Sequence, residues 1–192
     1  MKPDPGDGRV PVWPVWCRGL LHGGYADAAP LGLGLVVSAI IHHEGGRLIE
    51  SYRVEPIRRN LPTALADVAA AGRPGVMMLS TLLWTIDGNL ALAAALKERS
   101  PGSVTVFGGP SAPKYEGDAA RFFEDHPQVD VVVRGEGEMT AVDILAALDG
   151  DLSDLTPLTE VEGLTVRVGA RIVRTPDRPR MQDLNQVPSP YL

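Results

Sequence analysis

Two short segments carry residues suited to holding a ligand, and each follows an apolar run that predicts a β-strand. In residues 80–84, the Ser80 hydroxyl can hydrogen-bond an amide or phosphate, and Trp84 offers a broad aromatic face. Without a ligand, the hydroxyls of this segment would cap the following helix and Trp84 would pack in the core. In Gly108-Gly109-Pro110, the glycines lack the Cβ atoms that would keep a ligand from the backbone, although a sharp turn alone would also account for them.

A third segment, residues 134–140, places Gly135 and Gly137 after another apolar run. These glycines keep the loop close to the strands, while Glu136, Glu138 and Thr140 supply acceptors and a hydroxyl. Glu138 would also complement the dipole of a helix that begins there, so capping is a second explanation for it. Because two glycine-containing loops follow two neighbouring strands, we expect them to share one pocket.

Metal ligation and nucleophilic catalysis have little support in the residue spacing. No histidines and carboxylates have a metal-site spacing, and neither a nucleophile elbow nor a Walker loop occurs. His22 follows the first predicted strand, where a cofactor ligand could lie, whereas His42, His43 and His126 are interpreted as ordinary helix-end and loop residues. The single cysteine, Cys17, can form neither an internal disulfide nor a cysteine-ligated cluster, and it favours a cytoplasmic location.

The elements that must position these loops alternate regularly. Strands are predicted at residues 10–18, 48–54, 75–80, 104–107 and 129–133, and helices at residues 31–43, 61–71, 87–99, 118–125 and 139–148. Short connections and apolar strands without alternation predict the α/β class, with a doubly wound five-stranded parallel sheet of Rossmann-like type. Such sheets bind ligands beyond the carboxyl ends of their strands, which is where the three loops lie.

The chain divides into three parts on this interpretation. Residues 1–9 are a disordered lead-in, residues 10–150 are the α/β domain, and residues 151–192 form a small β-hairpin around Gly169 and then an extended connector.

The overall composition is that of a globular protein. The chain has 192 residues, of which 44% are hydrophobic and 22% charged, with a net charge of −6. Because lysine and arginine do not cluster, we expect no nucleic-acid surface. No apolar run approaches the roughly 20 residues that cross a membrane, and the N-terminus lacks the pattern of a signal peptide.

Several motifs at these loops are similar to those of a known family. They are VTVFGGP at residues 104–110, VDVVVRGEGEMT at 129–140, EGLTVR at 162–167 and DLNQVPSPYL at 183–192. Together with Ser80 and Trp84, they resemble the N-terminal half of cobalamin-dependent radical SAM enzymes, from about residue 25 to the end. The GEGE loop and the terminal PSPYL are the most specific parts.

The resemblance implies a domain that holds cobalamin, with the nucleotide tail of the cofactor buried between the sheet and the loops. By that analogy, the cofactor site is lined by Ser80, Leu83, Trp84, Gly108, Gly109, Pro110, Gly135, Glu136, Gly137, Glu138 and Thr140. Trp84 or apolar residues near it would cover the lower face of the corrin. Many members of the family are methyltransferases.

The sequence departs from the family pattern at two points, which concern the iron–sulfur cluster and the ligand of cobalt. The chain ends where the three-cysteine motif would begin, so the [4Fe–4S] cluster and S-adenosylmethionine would belong to an absent radical SAM domain or to a separate partner chain. Leu20, His22 and Tyr25 fall in the frame of the Asp-x-His-x-x-Gly pattern of histidine-ligated cobalamin domains, so we expect base-off cobalamin without a histidine ligand. The alternatives are a cofactor-free interaction module with the same fold and a flavodoxin-like nucleotide-binding domain.

Overall fold

The computed structural model describes residues 7–16 and 30–191. Its strands are β1 (Val10–Val15), β2 (Tyr52–Val54), β3 (Val76–Ser80), β4 (Val104–Gly108), β5 (Val131–Val133), β6 (Leu164–Val168) and β7 (Arg171–Arg174). Its α-helices are α1 (Leu31–His42), α2 (Leu48–Ser51), α3 (Leu61–Ala71), α4 (Ile86–Arg99), α5 (Glu116–Asp125) and α6 (Glu138–Leu148). Short 3₁₀ segments cover His43–Gly45, Thr156–Glu160 and Leu184–Gln186.

The strands form one sheet in the order β2-β1-β3-β4-β5-β6-β7. The first five strands are parallel, and the order reverses between β1 and β3. This is the flavodoxin-like arrangement of a doubly wound sheet, whose ligand site lies at the reversal. The predicted α/β class and its doubly wound parallel sheet are therefore confirmed.

The sheet has seven strands instead of the predicted five because the C-terminal hairpin joins it. β6 pairs antiparallel with β5, with Val166 opposite Val131, and β7 pairs with β6. Leu164 and Val166 are fully buried in the main core. A free hairpin could not cover these side chains, and their burial accounts for its place in the sheet.

One predicted strand is shorter than expected. Residues 48–51 form the helical turn α2, and only Tyr52–Val54 of the predicted residues 48–54 pair with β1. The register begins at Val10 opposite Tyr52, so β1 offers no backbone partner to the preceding residues. The backbone of residues 48–52 forms a hydrogen bond within this segment instead, in which the Tyr52 N–H donates to the Leu48 carbonyl oxygen.

Helices cover both faces of the sheet, and two cores result. One core joins α1 and α6 to strand residues such as Val12, Met78 and Val106. The other joins α3, α4 and α5 to the alternating strand residues, among them Met77 and Phe107. Burial on both faces explains why the strand sequences are continuously apolar.

Candidate functional site

A cavity of ≈ 470 Å³ lies at the carboxyl ends of β1, β3, β4 and β5, at the point where the strand order reverses. The first turns of α1 and the start of α6 form one side of it. The cavity is lined by Trp16, Pro30, Leu31, Gly32, Leu33, Val36, Met78, Leu79, Ser80, Leu82, Val106, Gly108, Gly109, Pro110, Val133, Gly135, Glu136, Gly137, Glu138 and Ala141.

The lining is mostly apolar. Met78, Val106 and Val133 come from the strands, and Val36 and Ala141 come from α1 and α6. The polar side chains among the lining residues are those of Trp16, Ser80, Glu136 and Glu138. Such a cavity suits a largely apolar group that carries a few polar substituents.

Eight of the eleven residues proposed from sequence line this cavity. They are Ser80, Gly108, Gly109, Pro110, Gly135, Glu136, Gly137 and Glu138. Residues of all three loops thus line one cavity. We expected this because the loops follow neighbouring strands of the predicted sheet.

The other three proposed residues do not line the cavity. Leu83 and Trp84 are 79% and 51% exposed, so Trp84 is neither part of the core nor inside the cavity. Thr140 is fully buried, and its hydroxyl donates to the Glu136 carbonyl oxygen at 2.8 Å. Thr140 therefore holds the third loop in shape from within α6.

The loops after β3 and β4 are joined through their backbones. The Thr81 N–H donates to the Gly108 carbonyl oxygen at 2.6 Å, and the Ser111 N–H donates to the Thr81 carbonyl oxygen at 3.1 Å. Gly109 has a φ of +113°, a conformation that favours glycine. Gly109 thus allows a close approach of the two loops at the cavity wall.

Trp16 is a lining residue that the sequence analysis missed. It directly follows β1, and the guanidinium carbon of Arg59 lies 5.7 Å from the centre of its ring. Trp16 falls inside the predicted strand of residues 10–18, so the rule of polar or aromatic residues just after a strand did not select it. Leu82 and residues 31–33 were missed as well, since nothing in their types distinguishes them from core residues.

Arg134 connects the third loop to the chain beyond β7. It is 4% exposed, and its guanidinium group donates to the carbonyl oxygens of Leu164, Thr175 and Pro176. It also forms an ion pair with Asp177. Burial lowers the pKa of Arg134 to about 10, so the group stays protonated at neutral pH.

The predicted connector, within residues 176–191, packs along the cavity side of the sheet. The Met181 N–H donates to a carboxylate oxygen of Glu136 at 2.7 Å. The Ser38 hydroxyl of α1 donates to the Ser189 carbonyl oxygen at 3.4 Å, and a Cβ added at Gly34 would lie 3.3 Å from Pro190. The third loop and α1, which both line the cavity, thus contact this segment.

The described residues contain no group of three or more histidine, cysteine, aspartate or glutamate side chains that could hold a metal ion. His42, His43 and His126 do not line the cavity. The sequence-based candidates His22 and Cys17 lie outside the described residues. Among the helices in the described part of the chain, none is long and apolar enough to cross a membrane.

No family model matches the chain, but comparison with curated proteins finds relatives that include two methyltransferases and an anaerobic magnesium-protoporphyrin IX monomethyl ester cyclase of Synechocystis. The chain is 40% identical to the cobalamin-dependent radical SAM methyltransferase TokK of Streptomyces tokunonensis. The match extends over 119 residues, which are 62% of this chain and 17% of TokK. It is also 40% identical over 121 residues to 2-(S-pantetheinyl)-carbapenam-3-carboxylate methyltransferase of Streptantibioticus cattleyicolor, again 62% of this chain and 17% of the relative.

A solved structure has a similar fold. It is the radical S-adenosylmethionine methyltransferase TsrM from Kitasatospora setae with cobalamin and a [4Fe–4S] cluster bound, with a TM-score of 0.60 and 16% identity. The likeness covers 94% of this chain and 31% of that one. The sequence identity to TokK confirms the resemblance to cobalamin-dependent radical SAM enzymes, and the chain spans only 17% of the length of the two curated methyltransferases.

Proposed function

We propose that this chain is the cobalamin-binding part of a cobalamin-dependent radical SAM enzyme of the methyltransferase type. The observation that carries the proposal is the cavity at the strand-order reversal, which has an apolar interior and three converging loops. The identity to TokK supports the choice of cofactor. The [4Fe–4S] cluster and S-adenosylmethionine would be held by a radical SAM domain or a separate partner chain.

The cavity residues fit the nucleotide tail of cobalamin. The tail would enter the cavity of ≈ 470 Å³, and the corrin would lie over its mouth. The aromatic base of the tail would contact Val106, Val133 and Ala141, which are apolar. Gly108 and Gly109 present no side chain to the incoming tail.

The exposed residues beside the cavity acquire a role in this arrangement. Leu83 and Trp84 follow directly after the lining residue Leu82 and leave large apolar surfaces open. A corrin over the mouth would cover such surfaces, and this keeps Leu83 and Trp84 in the proposed site although they do not line the cavity. Cobalamin supplies the methyl-transfer chemistry when bound, and the chain binds and orients it.

We further propose that cobalamin is bound base-off and without a histidine ligand to cobalt. No histidine of the described residues lines the cavity, and the Asp-x-His-x-x-Gly pattern is absent from the sequence. A cobalt(II) EPR spectrum should therefore lack the hyperfine coupling of a histidine nitrogen. A spectrum with that coupling would contradict this part of the proposal.

A direct test is to titrate the purified chain with hydroxocobalamin and to record the visible spectrum of the protein fraction after desalting. We expect a corrin spectrum that stays with the protein. No binding at high cobalamin concentration would overturn the proposal and favour a cofactor-free interaction module. Parallel titrations with FMN and ATP test the flavodoxin-like alternative, since binding of either one in place of cobalamin would favour a nucleotide-binding domain.

A further inference from the structure

We infer that Asn89 and Thr85 are positioning residues that set the shape of residues 80–82, the end of β3 and the start of the loop after it, at the cofactor cavity. The inference rests on the proposed function, because it assigns these two side chains to the binding of cobalamin. Neither residue lines the cavity. Asn89 belongs to α4 and Thr85 directly precedes it, and α4 packs on the opposite face of the sheet from α1 and α6.

Asn89 fixes the end of β3 through its amide. The side chain is fully buried, and its Nδ2 donates to the Ser80 carbonyl oxygen at 3.0 Å. A second, longer contact at 3.5 Å runs from the same nitrogen to the Thr81 hydroxyl. A carbonyl oxygen can only accept, so the NH₂ group of Asn89 must face Ser80.

Burial of this amide lowers the stability of the fold, so stability does not explain the choice of asparagine. The Asn89 Oδ1 atom is buried and has no hydrogen-bond partner within the described part of the chain. An unpartnered buried acceptor opposes folding, and a leucine of similar size would pack against Leu92 and Ala93 of the same core without that cost. What the amide adds is a donor that holds the Ser80 carbonyl in one place.

Thr85 fixes the next residues of the loop through its hydroxyl. Its Oγ1 accepts from the Leu82 N–H at 2.8 Å, and it lies 3.1 Å from the carbonyl oxygens of both Ser80 and Leu82, to either of which it can donate. The residue is 1% exposed, so water does not compete for these bonds. Because the Leu82 N–H bonds the Thr85 hydroxyl, this hydroxyl helps to fix the backbone of a residue that lines the cavity.

Together these bonds hold the loop from the side away from the cavity. The Ser80 carbonyl oxygen faces donors from Asn89 and Thr85, and both Ser80 and Leu82 are lining residues of the cavity. The neighbouring Thr81 N–H is bound to the Gly108 carbonyl oxygen. Loss of the Thr85 and Asn89 bonds would leave the β3 end of the site free to rearrange.

A matched pair of substitutions tests the role of the hydroxyl. Thr85→Val keeps the size of the side chain and removes the hydroxyl, whereas Thr85→Ser keeps the hydroxyl. We expect Thr85→Val to weaken cobalamin binding about tenfold, the effect of losing one to two hydrogen bonds, and Thr85→Ser to restore most of the affinity. Asn89→Leu should weaken binding by a similar factor.

Leu96→Ala is the control for a general loss of stability. Leu96 is fully buried on the same helix, seven residues beyond Asn89 and thus about 10 Å along the axis. It should lower the melting temperature and leave the affinity for cobalamin unchanged. Losses of affinity in all variants that simply follow their melting temperatures would overturn the positioning role.

Amide hydrogen exchange separates this inference from the proposed function. The Leu82 N–H should exchange faster in Thr85→Val than in the wild-type chain, with or without cobalamin, because its acceptor is gone. If the wild-type chain binds no cobalamin, the proposed function fails, and the exchange rate still decides whether the Thr85 hydroxyl holds the loop. An unchanged Leu82 exchange rate in Thr85→Val would overturn the inference in either case.

Discussion

Gly109 lies so close to Thr81 that a Cβ at position 109 would stand 2.8 Å from the Thr81 carbonyl oxygen and 3.1 Å from the Thr81 nitrogen. Both neighbours are backbone atoms and cannot rotate away as a side chain could. The loops after β3 and β4 therefore form one unit, and a change in one loop must move the other.

Replacement of Gly109 tests this contact. Gly109→Ala adds a backbone clash to the strain of a φ of +113°, and we expect the free energy of unfolding to fall by about 3 kcal/mol or more. Gly135→Ala is the matched control, since Gly135 also has a positive φ, +88°, but no atom within 4 Å of an added Cβ. Its loss should be about 1–2 kcal/mol. Urea unfolding of both variants checks the difference, and equal losses would argue against the contact.

The apolar interior of the cavity can be filled without touching its loops. Ala141→Leu extends a side chain from α6 into the cavity, and we expect it to weaken cobalamin binding by at least about tenfold while the melting temperature changes little. Ala146→Leu makes the same substitution at an exposed position of the same helix and should leave the affinity unchanged. Titration with hydroxocobalamin compares the two, and identical affinities would show that the tail does not enter the cavity.

The two tryptophans near the cavity should affect cobalamin differently. Trp16 lines the cavity, so Trp16→Ala should weaken the retention of cobalamin on desalting. Trp84 is 51% exposed and does not line the cavity, so Trp84→Ala should act through the corrin and change its visible spectrum. A Trp84→Ala variant with unchanged spectrum and affinity would remove Trp84 from the site.

Arg134 should be important for stability because its guanidinium group satisfies carbonyl oxygens of two later segments. Arg134→Ala removes this donor from the Thr175 and Pro176 carbonyl oxygens, and the free energy of unfolding should fall by about 1–3 kcal/mol, as measured by urea unfolding. Arg134→Lys keeps the charge but not the planar fork, so it should recover only part of the loss. Arg171→Ala, at an exposed position of β7, is the control and should cost less than about 0.5 kcal/mol. A fully stable Arg134→Lys variant would show that charge alone suffices.

Tyr52 should make stability depend on alkaline pH. Burial raises the pKa of Tyr52 from 10.0 to about 12, and the hydroxyl donates to the Leu145 carbonyl oxygen while accepting from the Gly150 N–H. The folded state thus favours the neutral phenol, so this stabilisation is complete below pH 10 and is lost as the pH rises through about 12.

Tyr52→Phe tests this dependence. The variant should be less stable by about 1–2 kcal/mol at pH 7, because two backbone groups lose their partner. Its stability should then fall less steeply between pH 10 and pH 12 than that of the wild-type chain. Urea unfolding across this range gives both curves, and parallel curves would contradict the assignment.

Much of the fold was predictable because local signals mark its elements. α3 is the clearest case, since the Asn60 side chain accepts from the Thr63 N–H at its start and Gly72 ends it at a φ of +62°. The converging loops were predictable as well, because the ends of parallel strands meet at one side of a sheet. That rule located Ser80, Gly108 and the third loop without any knowledge of the strand order.

The remaining features depend on contacts between distant residues. The pairing of β6 with β5 joins segments about 30 residues apart, and no local pattern in Leu164–Val168 identifies the partner. The direction of Trp84 depends on the path of its loop, which Thr85 and Asn89 hold from the other side of the sheet. A lone threonine and asparagine at the start of a predicted helix give no sign of that role.

The attachment of β6 to β5 also bears on how much of the chain can fold alone. β5 is only three residues long, and all three are buried. A recombinant fragment that stops near residue 150 would leave β5 as an unprotected edge strand, with free N–H and C=O groups next to uncovered valines, and such edges invite aggregation. The smallest soluble unit should therefore extend through β7 to Thr175, whose hydroxyl and N–H both bond Leu164.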